Sequence, residues 1–173
     1  QTALWFLIWQ KRVHLFLAFL KWRMRKKYAE NLACEMRNAV RNNLIDKETL
    51  VVKGACQTSQ AVALALGFFD ESEKKKAYDN LLNFIKEKNN HIDCGLIGLR
   101  YIFHVLADFG DADLAVHMIT RKDAPSYGNM IELGGTALFE SLISNGIQES
   151  QNHHFFGDIL NFFISRIAGI KIN

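Results

Sequence analysis

Glu140 closes a glycine-led apolar stretch, Gly134-Gly135-Thr136-Ala137-Leu138-Phe139-Glu140, and two histidines, His153 and His154, return after a polar loop. A carboxylate that follows an apolar turn beside an aromatic ring can be partly desolvated and held in one rotamer. Such a group can orient a water molecule and take its proton. An isolated glutamate in this setting more often caps a helix or stays solvated, so the local pattern does not decide its role. The histidine pair invites a metal reading. Adjacent residues on a helix point about 100° apart, and no cysteine or carboxylate completes a zinc-type spacing. No metal and no cofactor is therefore expected. His104 and His117 lie in apolar runs and read as satisfied core histidines, while His14 and His91 carry no signal. Asp93 and Arg100 read as a structural pair, and Gln57 or Thr58 as a helix cap with a polar cleft contact as the other reading.

Composition bounds the rest. The chain has 173 residues, 49% hydrophobic and 12% aromatic, which is enough to fill a core, so a folded chain is expected rather than a disordered one. A formal net charge of +3 falls short of a nucleic-acid-binding signature. The opening "QTALWFLIWQKRVHLFLAFLKWRMRKK" is strongly apolar, but Gln10, Lys11, Arg12 and His14 interrupt it before a membrane-spanning length of roughly 18 residues. It also lacks the layout of a signal peptide. Cys34, Cys56 and Cys94 are odd in number and widely spaced, which favours buried thiols over disulfides or zinc. Together these features lean towards a cytoplasmic setting without membrane contact.

The elements that must carry Glu140 are helices. Residues 26–44 place Tyr28, Leu32, Met36, Ala39, Val40 and Leu44 on one predicted face. "LVV" at 50–52 is a short β-like run. Thr58 or Ser59 caps a predicted buried helix through "QAVALALGFF", and Asp70 with Glu73 forms a capping-box pattern for a helix over 71–88. Further helices are predicted over "LIGLRYIFHVLADF", over "ADLAVHMIT" and from His154 to Ala168, with Gly169 as the stop. Nearly all-apolar helices alternate with amphipathic ones, the pattern of two helical layers. The boundaries expected are an apolar and basic helical segment over 1–27 and a larger helical unit over 28–173.

Four blocks make the pattern specific: "KGACQTSQAVALALGFFDESEK", "GLIGLRYIFHVLADFGDADLAVHMIT", "DAPSYGNMIELGGTALFE" and "NHHFFGDILNFFISRIAGI". In this order and spacing they resemble the C-terminal half of the catalytic domain of family 78 glycoside hydrolases, the α-L-rhamnosidases. The resemblance implies an all-α fold, a partial α/α toroid from a six-hairpin glycosidase barrel, with minor short strands. It implies inverting hydrolysis of terminal α-L-rhamnose from glycosides. Inversion needs two carboxyl groups about 6.5–9.5 Å apart, one protonating the leaving oxygen and one activating water. Glu140 falls on the family's general base. His153, preceded by Asn152, falls on a histidine that contacts the rhamnose, and imidazole can donate to or accept from a hydroxyl. Tyr127 and Phe139 either line the sugar cleft or serve as core aromatics.

Departures accompany the match. Gly135 stands where alanine is common, Ala137 where threonine is, Phe139 where tryptophan is, and Met130 where an aromatic is usual. The family's acid-side motif, an Asp/Arg/Glu cluster followed by Gly-Trp-x-Gly-Asp, has no counterpart in the sequence. The expected partners are therefore a carbohydrate (a rhamnoside) and the missing upstream part of the same catalytic domain, with no nucleic acid. Alone, the chain is expected to be inactive. The alternatives are a non-catalytic carbohydrate-binding or helical scaffold remnant, and a basic amphipathic interaction module resting on the Trp/Lys/Arg-rich start.

Overall fold

A computed structural model describes Val13, residues 23–143 and residues 150–170. The expected N-terminal segment over 1–27 lies almost wholly outside the described residues. The described chain is helical: α1 (Arg23–Leu44), α2 (Gln57–Ala65), α3 (Glu71–Glu87), α4 (Leu96–Asp108), α5 (Ala112–Thr120), α6 (Tyr127–Glu132), a 3-10 turn (His154–Phe156) and α7 (Ile159–Phe162), which continues as a π-helical turn (Phe163–Ile167). The β-like run at 50–52 yields a single isolated antiparallel bridge, Ile45 to Val52, among the described residues. No described helix is long and apolar enough to cross a membrane.

Two helices form the inside. α2 buries Gln57, Gln60 and the apolar run Ala61–Leu64, and it packs against both α3 and α4. α4 buries Leu99, Ile102, Phe103, Val105 and Leu106 and contacts α5, α7 and the 3-10 turn. α3 turns only one face inward, through Ala77, Tyr78, Leu81 and Ile85. This inner and outer division matches the alternation in the sequence. α1 departs from the expected face: Tyr28 is 69% exposed and Ala39 is exposed, while Ala29 and Val40 are buried.

Caps explain several boundaries. Glu73 accepts the Asp70 amide (2.8 Å), completing the capping box that starts α3. α2 begins earlier than Thr58 or Ser59 would place it, because Ser59 accepts the Cys56 amide (3.4 Å) and Cys56 becomes the cap. The last helix is broken rather than continuous from His154. A 3-10 turn ends at Gly157, a poor helix former, and the chain widens to a π turn after Phe162. Gly169, at φ +70°, stops it as predicted.

Two buried glutamines tie loops to α2. Gln60 accepts the Val52 amide (3.0 Å) and donates to the Leu50 (3.0 Å) and Ala77 (2.9 Å) carbonyls. Gln57 donates to the His91 carbonyl (2.9 Å) and accepts the Asp93 amide (2.9 Å), so its role is to bridge elements rather than to cap. Asp93 pairs with Lys88 (2.9 Å), not with Arg100. His117 is exposed, and His104 Nε2 is buried without a hydrogen bond among the described residues, 3.5 Å from Asp158, so neither matches a satisfied core histidine there.

Candidate active site

The platform beneath Glu140 starts at α6. Ser126 is buried at its N-cap, accepts the Asn129 amide (2.9 Å) and donates to the Arg121 carbonyl (2.6 Å). Gly134, at φ +82°, ends the helix, and the Gly135 amide donates back to the Met130 carbonyl (2.9 Å). The chain then runs out through Thr136 to Glu140 and pairs antiparallel with residues 150–153. The Glu140 amide donates to the Ser150 carbonyl (2.8 Å), and the His153 amide donates to the Leu138 carbonyl (2.7 Å). These two bonds bring Glu140 and His153 together across the loop between them.

The side chains meet at the rim. His153 Nδ1 lies 3.7 Å from Glu140 Oε2, which is beyond hydrogen-bonding distance. That nitrogen is buried and has no hydrogen-bond partner among the described residues. The Ser150 amide donates to the same carboxylate oxygen (3.3 Å). The Glu140 side chain is 49% exposed and that of His153 only 19%. The Phe155 ring, 3.9 Å away between centroids and tilted by 45°, backs the imidazole. Asn152 is exposed, and its amide reaches Ser150 Oγ (3.4 Å). The rings of His153 and His154 are tilted at 5.7 Å, and no group of three or more His, Cys, Asp or Glu suited to a metal occurs among the described residues.

The two remaining expected residues sit below this rim. Phe139 is 1% exposed and belongs to the core. Glu140, its neighbour, instead reaches the rim with its side chain 49% exposed, so the two side chains point apart. The expected desolvation of Glu140 by Phe139 is therefore not what the structure shows, since the ring supports the backbone instead of flanking the carboxylate. Gly135 makes this possible. A Cβ there would lie 2.7 Å from the Met130 carbonyl and 2.8 Å from the Phe139 ring. Tyr127 is also buried, and its hydroxyl donates to the Phe156 carbonyl (3.1 Å). Burial, and secondarily the charge of Asp158, push the phenol's pKa upward, so it stays a donor. Phe139 thus presents no open ring face to a cleft, whereas Tyr127 lines an apolar cavity beside α6.

Two features had no reading in the sequence. The Tyr127 bond to the 3-10 turn joins residues far apart in the chain, and only the fold reveals it. A second small cavity of about 280 Å³ lies behind Phe155, between α4 and the 3-10 turn. Its residues are scattered through two blocks with no shared motif.

Inner helices ringed by outer ones, with a carboxylate and an imidazole at one rim, define part of an all-helical hairpin barrel of the glycosidase kind. The chain belongs to family 78 glycoside hydrolases, the α-L-rhamnosidases: residues 7–167 match the bacterial alpha-L-rhamnosidase six-hairpin glycosidase domain. An α-L-rhamnosidase of Streptomyces avermitilis is 30% identical over 127 residues, covering 69% of this chain and 12% of that protein. One from Formosa agariphila is 32% identical over 124 residues, covering 67% and 13%. The crystal structure of the Streptomyces avermitilis α-L-rhamnosidase complexed with L-rhamnose superposes with a TM-score of 0.89 at 24% identity, over 97% of this chain and 17% of that one. The α-L-rhamnosidase from Dictyoglumus thermophilum gives 0.88 at 26% identity, over 98% and 20%. The chain thus spans a fifth or less of these relatives' length.

Proposed function

We propose that this chain supplies the water-activating side of an inverting α-L-rhamnosidase site and works as part of a larger six-hairpin domain. The observation that carries this is the fixed pairing of segments 138–140 and 150–153, which sets Glu140 beside His153 at a solvent-facing rim. The Ser150 amide occupies Oε2, and Oε1 has no hydrogen-bond partner among the described residues. That leaves one carboxylate oxygen to accept a proton from water. His153 and Asn152 are the proposed hydroxyl contacts to the rhamnose. Tyr127 and Phe139 serve the same site from beneath, as positioning residues. The general acid belongs to another part of the domain, because an inverting mechanism needs a second carboxyl group across the sugar. An apolar cavity of about 560 Å³ beside α6 and α7, rimmed by exposed Ile131 and Phe163, offers that part a packing surface.

The test is binding and turnover together. L-rhamnose titrated into the purified chain is expected to shift the amide resonances of Glu140, Asn152 and His153. The chain alone is expected not to hydrolyse an aryl α-L-rhamnoside. Completed by the rest of a family domain it should do so, and Glu140→Gln should then lower kcat by roughly 10²–10⁴-fold, the usual worth of a general base. Near-unchanged turnover by that variant would remove Glu140 from the mechanism.

A further inference from the structure

His91 carries no signal in the sequence, but the fold gives both of its ring nitrogens a partner. Nδ1 lies 2.9 Å from the Lys88 carbonyl oxygen, and Nε2 lies 2.9 Å from Asp123 Oδ2. A carbonyl oxygen can only accept. The Asp123 carboxylate can only accept while it is ionised, and Arg121 keeps it so. That guanidinium donates from Nε to Oδ1 (2.9 Å) and from Nη2 to Oδ2 (2.8 Å), and with lesser help from His91 it holds the carboxyl far below the usual carboxylate range. A neutral imidazole has one N–H and one bare lone pair, so it satisfies one acceptor and turns a lone pair on the other. The imidazolium, with an N–H on each nitrogen, satisfies both.

The ring joins two segments. On one side is the loop between α3 and α4, where Asn89 and Asn90 are consecutive left-handed residues at φ +53° and +58°. Such a backbone is strained for residues other than glycine and persists where its surroundings fix it. The fixing contacts are the His91 ring, a bond from Arg121 Nη1 to the Asn89 carbonyl (3.4 Å), and Gln57, which donates to the His91 carbonyl (2.9 Å) and accepts the Asp93 amide (2.9 Å). On the other side is the segment that starts α6. Ser126, its N-cap, donates to the Arg121 carbonyl (2.6 Å), and Asn129 donates to the Lys122 carbonyl (2.9 Å). The charged groups around the ring are Asp123 and Arg121 from that segment and the Lys88–Asp93 pair (2.9 Å) of its own loop. Lys122 is paired with Glu132 (3.2 Å), and α2 contributes the neutral Gln57.

We infer that His91 is a pH-sensitive strap between the α3–α4 loop and the segment that starts α6. As the imidazolium it holds the Lys88 carbonyl and the Asp123 carboxylate together. As the neutral ring it must release one of them, which frees it either from its own turn or from the α6 segment. Arg121 stays on Asp123 in both states, so the α6 segment keeps its place and the loop is what loosens. The inference does not depend on the role given to Glu140.

The experiment follows the full chain by NMR from about pH 5 to about pH 9, a span that covers the titration of most protein imidazoles. The ring nitrogen shifts of His91 report its protonation. Amide hydrogen exchange at Asn90, His91 and Asp93, taken relative to the unstructured rate at each pH, reports the loop. Protection is expected to be highest while both ring nitrogens carry protons and to fall roughly 2–10-fold as one is lost, the worth of a single hydrogen bond. His91→Phe, a ring without donors, should show the lower protection at every pH. Asp123→Asn should flatten the pH dependence, because an amide can donate to the neutral ring as well as accept from the charged one. Protection that stays constant across this range, or that changes at a pH where His91 does not titrate, would overturn the strap. So would a pH response in His91→Phe equal to that of the unaltered chain. Should a variant not fold, the two titrations of the unaltered chain decide the matter, since the strap requires them to coincide.

Discussion

Tyr127→Phe separates a positioning role from a sugar contact. The Tyr127 hydroxyl is buried and donates to the Phe156 carbonyl (3.1 Å), the last residue of the 3-10 turn that follows His153. Removing it leaves a buried carbonyl short of a partner in exchange for one lost hydrogen bond, a cost of about 1–2 kcal/mol. In a chain of this size that lowers Tm by roughly 2–8 °C. The loss falls on a local unit, so opening of the turn should become roughly 5–30-fold more frequent. The Gly157 amide, bonded to the His154 carbonyl (2.9 Å), is the reporter for hydrogen exchange. The expected result is faster exchange at Gly157 and its neighbours with a modest fall in Tm. Unchanged exchange accompanied by a loss of L-rhamnose binding would refute the reasoning and make Tyr127 a sugar ligand.

Three further outcomes follow from the packing. Gln60→Leu strands the Val52 amide and the Leu50 carbonyl and deprives the Ala77 carbonyl of a donor, costing about 3 kcal/mol and roughly 6–12 °C in Tm; a fall under about 2 °C would contradict it. Hydrogen bonding to Arg41 (2.8 Å) holds the Glu73 carboxyl below its ordinary range, so its stabilisation is present above the unfolded value and drains away as pH falls through the folded one. The Tm gap between the chain and Arg41→Met should therefore narrow from pH 5 to pH 3, about the titration range of a carboxylate; a constant gap would count against the pair. Burial pushes the Cys94 thiol up to about 12, whereas Cys34 is exposed, so a thiol reagent should label Cys34 in the folded chain and Cys94 only after unfolding. Equal labelling rates would contradict that environment.

The helices are legible in the sequence where local signals agree with one another. Asp70 and Glu73 stand three apart before an amphipathic run, and both act within that turn, so the start of α3 can be read directly. The start of α2 cannot. Its cap is Cys56, a poor side-chain acceptor, and its position depends on Ser59 reaching back to the Cys56 amide. Tyr28 fails for a different reason. Periodicity marks which side chains share a face, but burial needs a neighbour opposite that face, and the described core meets α1 chiefly around Val40. Gln57 and Gln60 look like surface residues at a helix start. Their burial is decided by carbonyls and amides of loops and helices brought in from elsewhere in the chain.

At the site, the order of residue types is legible but the direction of each side chain is not. A motif ending in an aromatic and then a glutamate reads as two neighbours cooperating in one cleft. The fold separates them instead, with Phe139 in the core and Glu140 facing out. Gly135 then becomes part of the same device. With no Cβ it lets the Phe139 ring slide under the end of α6, where any larger residue would strike both that ring and the Met130 carbonyl. Positions 135 and 139 must therefore change together. A side chain at 135 is expected to push aside the Phe139 ring or the end of α6. The glycine and the phenylalanine, which look independent in the sequence, meet in one close contact beneath the segment that carries Glu140.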